Sequence, residues 1–402
     1  MKRYLPSLLV AQFMIICSLH AQEQGNIKMK LNGFGDMVLG KPFGNLADSG
    51  SNRLFNQFGD PDFPHGMHNG LFIPGIDLIN SVYLNDDITI QTELNLEGNR
   101  GGVGGEFECD LERLFIDYKA SEGLGVQVGY IFTPIGYINR NLYSRAWLMN
   151  SIHFYQAVEP ASGYVPNHFV GGTVYGTFPL PKEEGIKYII GIGMPRPVSP
   201  TSDVFDTNQE GYQATALLEW VIPGFKDFRI GLSGFSNNVH TFNLINYGDT
   251  VLMSNPDASK LVLQENGFNP YINFSGKHFN ILIEYDYIKM LGMKGEYPEN
   301  AGTTTQAVSA ELSLNCFINK KHLTPYIRYD VINLPNRGGP YYGIRKLGDD
   351  ILTKVYTPGF NAVMTGISYD LTHFNRLKIE YIHHFAGPRQ SNGIFLQTAF
   401  GF

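Results

Sequence analysis

The sequence predicts an all-β chain: one transmembrane antiparallel β-barrel of about sixteen strands, with long extracellular loops and short periplasmic turns. Three observations predict it. Stretches of about ten residues with period-two alternation recur along the chain, bounded by turn residues. The links between them are mostly short and long by turns. The chain also opens with the layout of a secretory signal peptide.

That opening reads "MKRYLPSLLVAQFMIICSLHAQ". Lys2 and Arg3 give a basic start, an apolar run follows, and Leu19-His20-Ala21 fits a cleavage site. The expected layout is therefore a signal peptide over 1–21 and a barrel over 22–402. Ile16 stands before Cys17 where a lipid-anchor site wants a small residue. After Ala21 no run of about twenty apolar residues offers a transmembrane helix. Charged residues make up 17% of the chain, below the about 25% usual in soluble proteins, while Tyr (23) and Phe (28) are abundant. The net charge of −7 argues against nucleic acid as a partner. Cys109 and Cys316 fall near opposite ends of the strand map, so both are expected to be free thiols.

The expected strands begin near Ile27, Ile76, Ile88, Leu111, Val126, Phe169, Ile186, Tyr212, Phe228, Pro270, Phe279, Gln306, Leu323, Phe360, Leu377 and Gly393. The clearest is "DITIQTELNLEG": Ile88, Ile90, Thr92, Leu94 and Leu96 point one way, Thr89, Gln91, Glu93, Asn95 and Glu97 the other. An even count brings the last strand back to the first and removes both open edges. Links such as "NDD", "SEGLG", "GKH" and "NKK" are short. Lys41 to Gly75, Pro134 to His168, Asn238 to Phe268 and Leu334 to Gly359 are long. A soluble barrel has no reason to sort its loops in this way, whereas an outer-membrane barrel does. Tyrosines on or near the strands, among them Tyr83, Tyr118, Tyr285 and Tyr381, suit the membrane–water interface. In the closing strand, Ile394, Leu396, Thr398, Phe400 and Phe402 form an expected lipid-facing row.

The hairpin "LERLFIDYKASEGLGVQVGYIFTPIGY", with Gly129, Thr133, Pro134 and Gly136 at its end, resembles the outer-membrane porins of the phosphate-selective porin O and P superfamily. The end of the signal peptide and the terminal Phe402 add to the likeness, which covers the rest of the chain loosely. The resemblance implies a passive diffusion channel in outer-membrane lipid, commonly a trimer. The lysine cluster that accompanies phosphate selectivity in that superfamily is not seen in this sequence. In sixteen-stranded porins the third extracellular loop folds into the lumen, and here that loop is 134–168. It carries Arg140, Arg145, His153 and Glu159, the candidate constriction residues.

With the apolar set of each strand facing lipid, the opposite set supplies a pore lining: Glu93, Arg113, Asp117, Arg229, Glu284, Asp286, Arg328 and Asp330, with Glu97 and Glu219. An Arg or Lys facing lipid at the midplane costs about 2–4 kcal/mol, so these charges belong toward water. Arg140 and Arg145 would face acidic wall residues across the pore, and the transverse field would tune ion preference. Asp60, Asp62, His65 and His68 could suggest a metal site, but a loop without helical register does not fix their spacing. A hydrolase needs Ser, His and a third group within hydrogen-bond reach, but the side chains of Ser151 and His153, two apart on a loop, need not meet, and no nucleophile-elbow pattern is present. The expected function is passive diffusion of small hydrophilic solutes or ions, with no cofactor, no metal and no catalysis. The rivals are a plugged barrel serving a secretion or assembly complex, and a barrel enzyme acting on lipid or cell-wall material.

Overall fold

The computed structural model describes residues 27–44, 70–98, 107–143, 146–155, 157–158, 165–180, 183–195, 209–222, 227–241, 261–294, 304–333, 360–385 and 391–402. The expected signal peptide lies outside the described residues, as do Asp60, Asp62, His65, His68, Arg145 and Glu159.

The chain is a closed antiparallel barrel of 16 strands. In order they are β1 (Lys28–Gly44), β2 (Gly70–Phe72 and Gly75–Tyr83), β3 (Ile88–Gly98), β4 (Phe107–Ser121), β5 (Leu124–Phe132), β6 (His168–Leu180), β7 (Glu183–Gly193) and β8 (Gln209–Val221). They continue as β9 (Phe228–Thr241), β10 (Leu261–Ser275), β11 (Phe279–Lys294), β12 (Thr304–Leu314 and Cys316–Ile318), β13 (Lys321–Asn333), β14 (Phe360–Thr372), β15 (Asn375–His384) and β16 (Ser391–Gly401). Ile73-Pro74 interrupts β2 and Asn315 interrupts β12. Each strand pairs with its sequence neighbours, and β16 returns to β1 with Phe34 opposite Gly401 and Gly44 opposite Ser391. Closure satisfies every ladder without leaving an edge for other chains to join.

The short turns have simple causes. Asn85 Oδ1 accepts the Asp87 and Ile88 N–H groups at 2.9 and 2.8 Å, an Asx turn that joins β2 to β3. Asn319 and Lys320 take φ of 51° and 65° between β12 and β13, as a two-residue hairpin of the primed type requires.

Outward rows are apolar and exposed, as at Leu114, Ile116, Val128, Ile190, Ile192, Leu218, Leu232 and Ile327. In the closing strand Ile394, Leu396 and Phe402 are exposed while Phe395, Gln397 and Ala399 are buried, the expected alternation. Cys109 and Cys316 are free thiols.

Three expectations need correction. Several strands run further toward the long loops than the turn residues suggested: β10 starts at Leu261 rather than near Pro270, and β9 continues to Thr241. Gly267 and Pro270 hid this, because Pro lacks the N–H that the ladder needs and the β10–β11 pairing skips Asn269 and Pro270. In β3, Thr92 and Leu94 are buried rather than lipid-exposed, at the point where the register against β4 slips between Glu93 and Leu94. The third long loop spans 133–167, since His168 already pairs with Phe132.

Candidate functional site

The segment 133–167 docks on inward-facing side chains of β8 to β13 and β15. Its entry is built from the motif read in the sequence. Thr133 N–H donates to Asn167 O at 2.8 Å, where β5 hands over to the loop and the loop to β6. Asn139 Nδ2 reaches both Thr133 O and Asn167 O, at 2.9 and 3.1 Å, and staples the two ends together. Gly136 has φ +62°, and a Cβ there would lie 2.2 Å from Glu284 Oε1. Only glycine gives both that backbone and that approach. Glu284 Oε2 then accepts the Tyr137 and Ile138 N–H groups, at 2.7 and 3.0 Å. These lie at the start of α1 (Ile138–Asn141), where first-turn N–H groups lack partners and favour an anion.

The second half of the loop is held more heavily. Buried Arg328 donates to Ser151 Oγ, to His153 O at 2.7 Å and to Phe154 O at 3.0 Å, with its guanidinium 4.3 Å from the Tyr155 ring centroid. Lys378 donates to Ala146 O and Ser151 O. Glu380 accepts the Ile152 and His153 N–H groups and pairs with His153 Nδ1. Glu311 accepts from Asn150 Nδ2 at 2.9 Å and from the Tyr155 hydroxyl at 2.8 Å. Burial first, and the Glu311 charge second, push the Tyr155 phenol well up, so it stays a donor. An apolar core joins the loop to the wall: Ile135, Ile138, Met149, Ile152, Phe154 and Val158 pack with Leu282, Met364, Ile382 and Phe395. Inward rows of β11 and β14 to β16 thus carry apolar side chains, against the assumption that the apolar set always faces lipid.

The predicted residues fall in three places. Glu284 caps α1, Arg328 and His153 belong to the loop anchor, and Asp330 pairs with Arg328 at 3.2 Å. Asp286 accepts from Asn269 beside Glu284. On the far side of the wall, Glu93 pairs with Arg113, whose guanidinium lies 4.4 Å from the Phe132 centroid, and Asp117 accepts from Tyr175 at 2.7 Å. The third place is β7 to β9, where Arg229 stands 3.6 Å from Glu219. Arg140 touches the wall directly, 3.8 Å from Glu219, instead of facing it across a gap. The side chains of Ser151 and His153 bond to different wall residues, Arg328 and Glu380. Sequence reasoning missed Lys378, Glu380 and Glu311, although "RLKIEYIHH" puts Lys378 and Glu380 on one face opposite Leu377, Ile379 and Tyr381.

No family model and no curated protein sequence matches this chain. Solved structures do. The outer-membrane channel DcaP of Acinetobacter baumannii superposes with a TM-score of 0.58 at 11% identity, covering 94% of this chain and 98% of that one. An anion-selective porin from Comamonas acidovorans gives 0.57 at 11% identity, covering 94% and 100%. The fold is that of the outer-membrane porins. A third match, the outer membrane protein OmpT of Vibrio cholerae in its trimer form, gives 0.54 at 11% identity over 94% and 100%. At this identity the likeness is one of fold. With its exposed apolar belt, the porin-like barrel is a protein of the outer membrane.

Proposed function

We propose that the chain is a porin through which small hydrophilic solutes or ions diffuse passively, along a water-filled lumen narrowed by the 133–167 loop. One observation carries this: the loop is bonded to inward-facing side chains of seven strands, from Gln213 on β8 to Lys378 on β15. A segment so placed stands in the solute's way and sets the radius and wall charge that select it. The work is sieving, so the reading needs no cofactor and no catalytic group. The finer likeness to the phosphate-selective superfamily rests on the Gly129–Gly136 motif. A homotrimer is part of the same proposal, by analogy with the porin fold.

Planar-bilayer recording of the folded protein tests it. Stepwise conductance is expected; none from folded protein would favour the rival plugged barrel of a secretion or assembly complex. That rival draws on the tight packing of the loop against β11 to β15. In a salt gradient, Arg140→Ala with Arg145→Ala should move the reversal potential toward cation preference. An unchanged value would remove the loop arginines from selectivity.

A further inference from the structure

Three cations converge on one carboxylate on the β7–β9 side. Lys187 Nζ and Arg229 Nη1 stand 3.7 and 3.6 Å from Glu219 Oε1, and Arg140 Nη1 stands 3.8 Å from Oε2. All three separations exceed hydrogen-bond length. Among the described residues, the side chains of Lys187 and Arg229 donate no hydrogen bond, and that of Arg140 makes one long contact, 3.5 Å to the Tyr271 hydroxyl. Their side chains are 36%, 28% and 20% exposed, whereas Glu219 is 1% exposed. Other inward cations behave differently: Arg328, Lys378, Arg113 and Arg376 all donate to protein acceptors.

Like charges this close repel, so something must hold them together. Glu219 does, from beneath. It is fixed by the Tyr271 hydroxyl, which donates at 2.6 Å across Gly231, where a Cβ would strike the tyrosine ring. One carboxylate against three cations leaves a formal surplus of two positive charges, with unengaged N–H groups facing water. Of the other wall acids, Glu284 also acts on Arg140, but its Oε2 already accepts the Tyr137 and Ile138 N–H groups. The loop contributes the third cation only while α1 sits on Glu284.

Resting on the porin reading, we propose that Lys187, Arg229 and Arg140 form a cradle for small oxyanions, carboxylate or phosphate, and that the solute path runs along β7 to β9 rather than down the barrel axis. Guanidinium groups match the paired oxygens of such anions, which a spherical halide lacks.

The test uses the folded protein in planar bilayers, with gradients of potassium chloride, acetate and phosphate. Lys187→Gln with Arg229→Gln should lower the anion-to-cation permeability ratio about tenfold, as removal of two nearby charges predicts. The loss should be larger for acetate and phosphate than for chloride. Lys119→Gln, on the exposed pair with Glu122 at a short turn, should change nothing. A conducting channel with an unchanged ratio, or an equal loss for chloride, overturns the cradle and leaves the porin reading standing. A folded protein that does not conduct overturns that reading and the cradle with it. The path has its own readout. With Cys109 and Cys316 replaced by Ser, Lys187→Cys should react with a water-soluble methanethiosulfonate far faster than Ser368→Cys on the packed wall. Equal rates overturn the off-axis path.

Discussion

The β7–β9 wall and the β11–β15 wall carry similar residue types and use them in opposite ways. On β11 to β15 the charges that hold the loop are buried: Arg328 is 0% exposed and Glu380 0% exposed, and each bonds to loop backbone. On β7 to β9 the cations keep part of their surface and stand beyond bonding distance of their one acid. The first arrangement anchors a loop; the second is left to act on whatever passes. An inward charge is therefore not by itself a pore-lining charge. What counts is whether a protein acceptor already engages it.

The contrast can be broken most severely at Arg328. Arg328→Ala removes the cation beside buried Asp330 and frees three loop acceptors, and breaking such a buried pair should cost about 3–5 kcal/mol. Unfolding in detergent should shift to lower denaturant, and the remaining folded channels should conduct more as the loop loosens. Unaltered conductance would mean that the loop holds without its central cation. Gly136→Ala comes next. It forces an alanine into left-handed backbone and onto Glu284, a strain of about 1–3 kcal/mol. It should unseat α1 and weaken anion preference with a smaller loss of stability, read from reversal potentials beside an unfolding curve. The smallest effect is expected at Tyr271→Phe. Loss of one donor to Glu219 costs about 1 kcal/mol, and the anion preference should soften without disappearing. A Tyr271→Phe effect as large as that of Arg328→Ala would erase the distinction between the two walls.

Most of the fold was legible along the chain. "DITIQTELNLEG" and "YIRYDVI" state their alternation outright, and the sorted link lengths give the barrel its two ends. Legibility failed where a rule depends on what lies opposite. Met364, Ile382 and Phe395 look like lipid-facing residues by type, yet they face inward because the loop brings apolar side chains to meet them. Thr92 and Leu94 lost their expected exposure at a slipped register in the neighbouring strand. For the site, Arg140 and Arg229 could be picked out as inward cations, and Gly136 as part of a motif. Lys187 could not be ranked, since its meaning comes from Glu219 on the next strand.

By itself the sequence determined the strand count and the alternation of faces. Period-two patterning and turn chemistry are local properties, fixed by neighbours in the chain; the need for glycine at Gly136 comes in part from distant Glu284. Only the tertiary structure decided which inward charges are engaged. That depends on a loop between β5 and β6 reaching as far as β15, and on whether a distant acceptor lies within about 3 Å or just beyond it. A difference of about an ångström or less there separates Arg328, at 2.7 and 3.0 Å from its loop acceptors, from Lys187 and Arg229, at 3.7 and 3.6 Å from Glu219.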